Sequence, residues 1–206
     1  LIFPSAIVFL IVSIYPLLTG IMLSFQNSSL YKGDEKKFVG LKNIITILTS
    51  DAEFRSDLLF TVIYTIGIVV IAYITGLVFS LLLNTDVPCR TLFRVLILIP
   101  WVISPAVSSM SWSWLLSDQY GFFNNFLKSI GVIDKSILFL ADKTLAKIMV
   151  IIIGAWRNFP FITVSLLAGL QGISKDYYEA ADIDGANKFQ RFRYVTFPHL
   201  KNVSII

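Results

Sequence analysis

Long stretches without a charged residue are the feature of this sequence that most restricts its fold. Residues 2–25 and residues 58–85 each contain no Asp, Glu, Lys or Arg. About 20 consecutive apolar residues in an α-helix cross the hydrocarbon core of a bilayer. Inside a bilayer every backbone polar group must be bonded internally, which helices achieve and open sheets do not. Both stretches are therefore predicted to be membrane-spanning helices.

Three more apolar stretches extend this pattern, although they are less uniform. We expect spans at residues 95–117 and 148–171, and the start of another at residues 198–206. Pro100 and Pro105 interrupt the first of these, and Arg157 and Pro160 lie inside the second. The chain lacks an initial Met and its last apolar run is too short to span, so we expect a fragment of a longer protein. The predicted fold class is an all-α integral membrane protein, a multi-span helical bundle.

Composition agrees with this class and argues against several others. Charged residues make up 15% of the chain, against about 25% in a typical soluble domain. Cys89 is the only cysteine, which excludes an internal disulfide framework, and His199 is the only histidine, which argues against a zinc site. The net charge of +4 is spread over the loops. We therefore expect no metal site and no nucleic-acid partner.

Small and polar residues within the spans predict how the helices pack. Residues 58–85 carry a series of small side chains, which favours close contact with another helix: Gly67, Ala72, Gly76 and Ser80. Residues 95–117 carry serines beside two tryptophans: Ser108, Ser109, Ser111, Ser113, Trp112 and Trp114. The serines are consistent with helix packing or with a polar lining. The tryptophans fit either that lining or an aromatic belt at the membrane interface. The connecting segments, residues 26–57 and 118–147, are each expected to contain a short helix.

A polar segment at residues 172–197 separates two apolar stretches, and we name it the polar hairpin. Ser174 is a plausible N-cap for a first short helix, and Gly185 is suited to the left-handed position that ends it. Asn187 followed by Gln190 predicts a capping box at the start of a second helix. From the residues alone, this segment could be an ordinary solvated connector between two spans.

The polar hairpin also resembles a known motif, the EAA loop of ABC importer permeases. That loop has the pattern E-A-A-x-x-D-G-A, followed after a short gap by Q-x-F and P-x-L. The matching residues are Glu179, Ala180, Ala181, Asp184, Gly185, Ala186, Gln190, Phe192, Pro198 and Leu200. Further segments resemble the sugar-permease branch, which includes maltose and glycerol-3-phosphate permeases: residues 38–43, 92–94, 156–159 and 167–171. Pro160 departs from that branch, where a small flexible residue is common.

The resemblance implies a type I importer permease with a cytoplasmic coupling helix. Its implied partners are a second permease subunit, two ATP-binding subunits and an extracytoplasmic solute-binding protein, in the cell membrane. The implied ATPase-coupling residues are Tyr178, Glu179, Ala180, Ala181, Asp184, Gly185 and Ala186. Basic residues are divided almost evenly between the two sets of loops, so the orientation also comes from the resemblance. The chain has no G-x-x-x-x-G-K phosphate loop, so we expect no cofactor, no catalysis here and ATP hydrolysis in a separate subunit.

Several alternatives remain open at this point. Trp156, Arg157, Asn158 and Phe159 could line the substrate pathway, with the two aromatic rings facing a sugar. Arg157 could instead form a structural ion pair, because a charge inside a bilayer is costly unless it is paired or hydrated. The substrate could be a polyamine or phosphate rather than a sugar. A secondary carrier or a scaffold without cargo would explain the spans but not the polar hairpin.

Overall fold

The computed structural model describes residues 3–27, 37–85 and 88–204, except for the side chain of Asn202. Residue 2 of the first predicted span and residues 205–206 of the last predicted stretch lie outside these residues. The chain divides into two units, Leu1–Val62 and Ile63–Ile206.

The first unit begins with an apolar helix that contains a π-helical turn. Helix α1 (Phe3–Phe9) continues through a π-helical segment (Leu10–Ile14) into α2 (Tyr15–Ser24). The π-helical segment ends immediately before the turn that contains Pro16. Proline has no backbone N–H and its ring crowds the preceding turn, so a locally widened helix accommodates it without ending. The structure therefore shows a local change of helix type just before Pro16.

A compact turn follows α2 in the same unit. Strands β1 (Gln26–Asn27) and β2 (Lys37–Phe38) pair antiparallel, and α3 (Lys42–Ser50) follows them. Gly40 has a φ of +56°, which a residue with a side chain rarely adopts. The Asn43 side-chain amide donates to Ser24 O and Gln26 O at 2.9 and 3.0 Å, and so connects α3 to the end of α2. The short helix expected in residues 26–57 is confirmed.

Helix α4 (Ala52–Leu83) starts in the first unit and continues into the second, where it packs on α8 (Lys143–Gln171). Ala72 and Ser80 of α4 are fully buried, and Gly76 is buried between them. A Cβ atom added at Gly76 would lie 2.8 Å from Ile162 Cγ2 of α8, too close for any side chain. The small-residue packing face predicted on this helix is confirmed.

The stretch predicted as one span at residues 95–117 is instead two helices. Helices α5 (Arg90–Val102) and α6 (Pro105–Leu115) meet at an angle of 95°. A residue before proline is disfavoured in the α conformation, and Ser104 is extended, with ψ of 148°. Ser104 then caps α6 by accepting the Val107 N–H at 3.3 Å. The break occurs before Pro105, whereas α5 continues through Pro100.

A short helix, α7 (Phe122–Ser129), lies in the segment between α6 and α8. Asn124, only 1% exposed, holds this segment together. Its amide donates to Ser117 O (3.2 Å) and Ile137 O (3.0 Å), and its carbonyl accepts the Ile137 N–H (2.8 Å). The short helix expected within residues 118–147 is therefore confirmed.

Among the described residues, three helices are long and apolar enough to cross a membrane: Phe3–Ser24, Ala52–Leu83 and Lys143–Gln171. The bent pair α5–α6 would be a fourth if it counts as one span. Large apolar side chains on these helices are exposed in the single chain, as expected for surfaces that face lipid or other helices. The predicted class of all-α, multi-span membrane protein is confirmed. The chain then continues as α9 (Lys175–Ile183), α10 (Lys188–Arg191), a π-helical segment (Phe192–Thr196) and α11 (Phe197–Ser204).

Candidate functional site

The first helix of the polar hairpin has well-defined ends. Ser174 Oγ accepts the Asp176 N–H at 3.3 Å, which confirms the predicted N-cap. At the other end Gly185 has a φ of +75°. The Gly185 N–H donates to Asp182 O (3.1 Å) and the Ala186 N–H to Ala181 O (2.9 Å), which together form a Schellman motif. Gly185 therefore occupies the left-handed position predicted for it.

The second helix of the polar hairpin begins with the predicted capping box. Asn187 Oδ1 accepts the Gln190 N–H at 2.9 Å, and Gln190 Oε1 accepts the Asn187 N–H at 2.8 Å. Only two residues, Gly185 and Ala186, separate this cap from the end of α9 and its cap residue Asp184. The two helices are therefore joined by a tight turn. Its backbone N–H groups at Gly185, Ala186 and Asn187 are all hydrogen-bonded within the polar hairpin.

Side chains on the inner face of α9 connect it to the following segment. Arg191 Nη1 lies 2.8 Å from Asp182 Oδ1, and its guanidinium lies 5.3 Å from the centre of the Tyr178 ring. The Tyr178 hydroxyl is hydrogen-bonded to Thr196 Oγ1 at 3.1 Å. Asp182, Arg191 and Thr196 were not among the predicted site residues. The i, i+4 spacing of Tyr178 and Asp182 was the signal available in the sequence.

The predicted coupling residues are divided between the two faces of the polar hairpin. The exposed ones are Glu179, Ala180, Asp184 and Gly185, and the half-buried ones are Tyr178, Ala181 and Ala186. Ile183, which was not predicted, is 87% exposed between these residues. Ile183 therefore adds an apolar group to the exposed face that carries Glu179, Ala180 and Asp184.

Two of the predicted pathway residues, Trp156 and Phe159, pack against other aromatic side chains. Phe159 is 8% exposed and lies 5.4 Å from the Phe79 ring, within the core between α4 and α8. Trp156 packs edge-on against Trp112, with ring centres 5.3 Å apart. Helix packing therefore covers the Phe159 ring, and the role of these residues in a substrate pathway stays a prediction.

Arg157 and Asn158 line a cavity of about 290 Å³, which we name the span cavity. The other polar side chains in its lining are Tyr64, Ser108, Ser109 and Ser113, and Trp112 supplies an aromatic wall. Arg157 Nε is buried without a hydrogen-bond partner among the described residues. The lining contains no carboxylate. The sequence left open whether the serines of residues 95–117 serve helix packing or a polar lining. Three of the four, Ser108, Ser109 and Ser113, line this cavity together with Trp112.

A larger cavity, of about 1020 Å³, lies between the polar hairpin and the ends of α4, α5 and α8. We name it the hairpin cavity. Its charged lining residues are Arg90, Lys175, Lys188, Arg191, Glu179 and Asp182.

Most of this sequence matches the profile of a known protein family. Residues 76–206 match the profile of the binding-protein-dependent transport system inner membrane component family. The chain belongs to this family. The matched region includes the last eight residues of α4, every lining residue of the span cavity except Tyr64, and the whole polar hairpin, so this permease family accounts for most of the residues on which both candidate sites are built.

Two curated permease relatives cover almost the entire chain. The trehalose/maltose transport system permease protein MalF of Thermococcus litoralis is 36% identical over 206 residues, which is 100% of this chain and 68% of the relative. The sulfoquinovosyl glycerol transport system permease protein SmoG of Agrobacterium fabrum is 31% identical over 198 residues, 96% of this chain and 63% of the relative. This permease chain thus spans about two thirds of the length of these relatives.

A solved structure shares the fold of this permease. A chain in the crystal structure of a bacterial alginate ABC transporter, in complex with an alginate pentasaccharide-bound periplasmic protein, matches with a TM-score of 0.80. The match covers 98% of this chain and 66% of that chain, at 21% identity. At this identity the likeness concerns the fold alone.

Proposed function

We propose that this chain is the permease subunit of an ATP-driven, binding-protein-dependent importer for a sugar or a related polyol. The observation that carries the proposal is the polar hairpin. It matches the EAA pattern, its two helices are closed by a Schellman motif and a capping box, and it presents an exposed face.

The structure supports a mechanical role for this element. After α10 the chain continues into α11, where Leu200 is fully buried against Leu166 and Leu170 of α8. At Gly169 an added Cβ would lie 3.0 Å from Val203, so α11 approaches α8 closely. Packed helices move as rigid bodies rather than deform. A displacement of the polar hairpin would therefore be passed to α8, which lines the span cavity.

The two faces of the polar hairpin suggest a division of roles. In our proposal Glu179, Ala180, Ile183, Asp184 and Gly185 contact an ATP-binding subunit, because they are exposed. The half-buried residues support that surface: Tyr178, Ala181 and Ala186. ATP-driven closure of two such subunits would then move α9 and switch the permease between inward- and outward-facing states.

The span cavity supports a hydroxyl-rich ligand. Sugars and polyols offer hydroxyl groups for hydrogen bonds and apolar C–H faces for aromatic contact. Serine hydroxyls, Asn158 and Arg157 supply the polar groups, and Trp112, backed by Trp156, supplies the aromatic face. The relatives named for trehalose, maltose and sulfoquinovosyl glycerol support the same substrate class.

The remaining components follow from this assignment. We propose a second permease subunit, two ATP-binding subunits and an extracytoplasmic binding protein as partners, with ATP held by the partner subunits and no cofactor in this chain. The solved alginate transporter, whose structure contains a periplasmic protein, is consistent with such a binding protein.

The test is transport by the full-length subunit reconstituted in vesicles with its ATP-binding subunits and binding protein. We expect uptake only with ATP inside the vesicles, and no phosphate release from the permease subunit alone. Uptake that follows an ion gradient and is independent of ATP would identify a secondary carrier. Uptake of a polyamine or phosphate, with no response to any sugar, would retain the importer and overturn the substrate class.

A further inference from the structure

We propose that the hairpin cavity binds the phosphate headgroup of an anionic phospholipid. The cavity combines an excess of cationic side chains with an apolar wall at the ends of two membrane-spanning helices. It is separate from the span cavity, and Glu179 is the one residue that it shares with the proposed ATPase-contacting face of the polar hairpin. The inference concerns this permease's relation to its membrane and goes beyond transport and coupling.

The charges in the hairpin cavity do not balance. The lining contains four cations and two carboxylates. Asp182 already pairs with Arg191 at 2.8 Å, which leaves Arg90, Lys175 and Lys188 facing Glu179. The lining therefore has two positive charges in excess. An anion with a charge of one to two would neutralise them.

Two arginines near the start of α5 bring buried guanidinium nitrogens to this region. Arg90 Nε is buried and has no hydrogen-bond partner among the described residues. Arg94, one turn further along α5, has a buried Nε in the same condition. It lines an adjoining cavity of about 300 Å³ that shares Gln171 with the hairpin cavity. Buried guanidinium groups are costly without partners, and phosphate oxygens match their geometry.

The position of the cavity favours a lipid over a free anion. Helix α4 ends at Leu83 and α8 ends at Gln171, and both are candidate spans. Leu81 and Leu170, just before these ends, line the cavity together with the cationic side chains. A lipid presents its phosphate directly beside apolar chains, so it satisfies both parts of the lining. Basic pockets between helices at this depth bind anionic headgroups in other membrane proteins.

The experiment measures lipid retention by the intact importer complex. The complex, purified in detergent, is incubated with phosphatidylglycerol, and the bound lipid is counted by native mass spectrometry. The variant Arg90→Gln/Lys188→Gln should lower the affinity about fivefold for each cation, or about thirtyfold for both. The matched control is Lys135→Gln/Lys143→Gln. It removes two exposed lysines, Lys143 at the first residue of α8 and Lys135 in the loop before that helix. The control should retain the lipid.

Arg90→Lys keeps the charge and should retain most of the lipid, which distinguishes a loss of charge from misfolding. Retention of phosphatidylglycerol by the double variant at the wild-type level would overturn the proposal. Displacement of the lipid by equimolar inorganic phosphate would identify a free-anion site instead. Loss of the ATP-binding subunit with unchanged lipid retention would identify a protein-docking cavity.

Discussion

Replacing Gly185 with valine tests whether the geometry of the polar hairpin is needed for coupling. Gly185 has a φ of +75°, and an added Cβ there would meet nothing within 4 Å. The cost of Gly185→Val is therefore conformational strain and not a clash with neighbours. A residue with a side chain in this left-handed conformation costs about 1–2 kcal/mol, and a β-branched residue is especially disfavoured.

That energy can be compared directly with a binding measurement. About 1–2 kcal/mol corresponds to about a fivefold to thirtyfold change in an equilibrium constant. Strain relieved by opening the Schellman motif would move Asp184 and Ala186, which flank the turn. We therefore expect the apparent affinity of the permease for its ATP-binding subunit to fall by up to that factor. When the ATP-binding subunit is present in limiting amount, substrate-stimulated ATP hydrolysis should fall together with this affinity.

The chain provides a matched control for this experiment. Gly131 has a φ of +72°, and an added Cβ there would also meet nothing within 4 Å. It follows α7, far along the chain from the polar hairpin, so Gly131→Val imposes a similar strain elsewhere. Membrane insertion of both variants is checked by protease protection. Full coupling in Gly185→Val, or an equal loss in Gly131→Val, would refute the reasoning.

Three further changes test other parts of the structure. Arg191→Ala removes the contact with Asp182, and because such exposed pairs contribute about 0.2–1 kcal/mol, coupled ATP hydrolysis should fall only about 1.4-fold to fivefold. Arg157→Leu removes the only charge among the described residues that line the span cavity, and uptake should fall while the complex still assembles in size-exclusion chromatography. Normal uptake would remove Arg157 from the site. Gly76→Val overpacks the contact between α4 and α8 by about 1–3 kcal/mol and should lower the Tm of the purified subunit, whereas Gly20→Val, in open space, should leave the Tm unchanged.

Features that depend on a few neighbouring residues were readable from the sequence. The N-cap at Ser174, the left-handed Gly185 and the capping box of Asn187 and Gln190 each involve residues within a few positions of one another. Their hydrogen bonds are determined by local backbone geometry, which residue type strongly influences. The packing face of α4 was also readable, since helical periodicity alone brings small residues to one side.

The sequence predicted only part of the effect that Pro100 and Pro105 have on the helix. Two prolines within residues 95–117 indicated a disturbed helix, but not which of them would end it. Helix α5 continues through Pro100, which is buried, and the 95° break occurs before Pro105. A proline can be tolerated inside a membrane helix when neighbouring groups compensate for the missing hydrogen bond, and those neighbours come from other helices.

The sequence by itself determined that this chain is a multi-span helical membrane protein with a capped polar hairpin, because absence of charge and local capping leave few alternatives. The tertiary structure decided which side chains are available to partners. Phe159 is covered by Phe79 of α4, and Arg191 reaches back to Asp182 across the turn. Arg157 has a cavity beside it because α6 packs near α8. Phe79 and Phe159 are far apart in the chain, as are the α6 and α8 residues of the span cavity. Asp182 and Arg191 are only nine positions apart, but neither composition nor spacing specifies which of these surfaces meet.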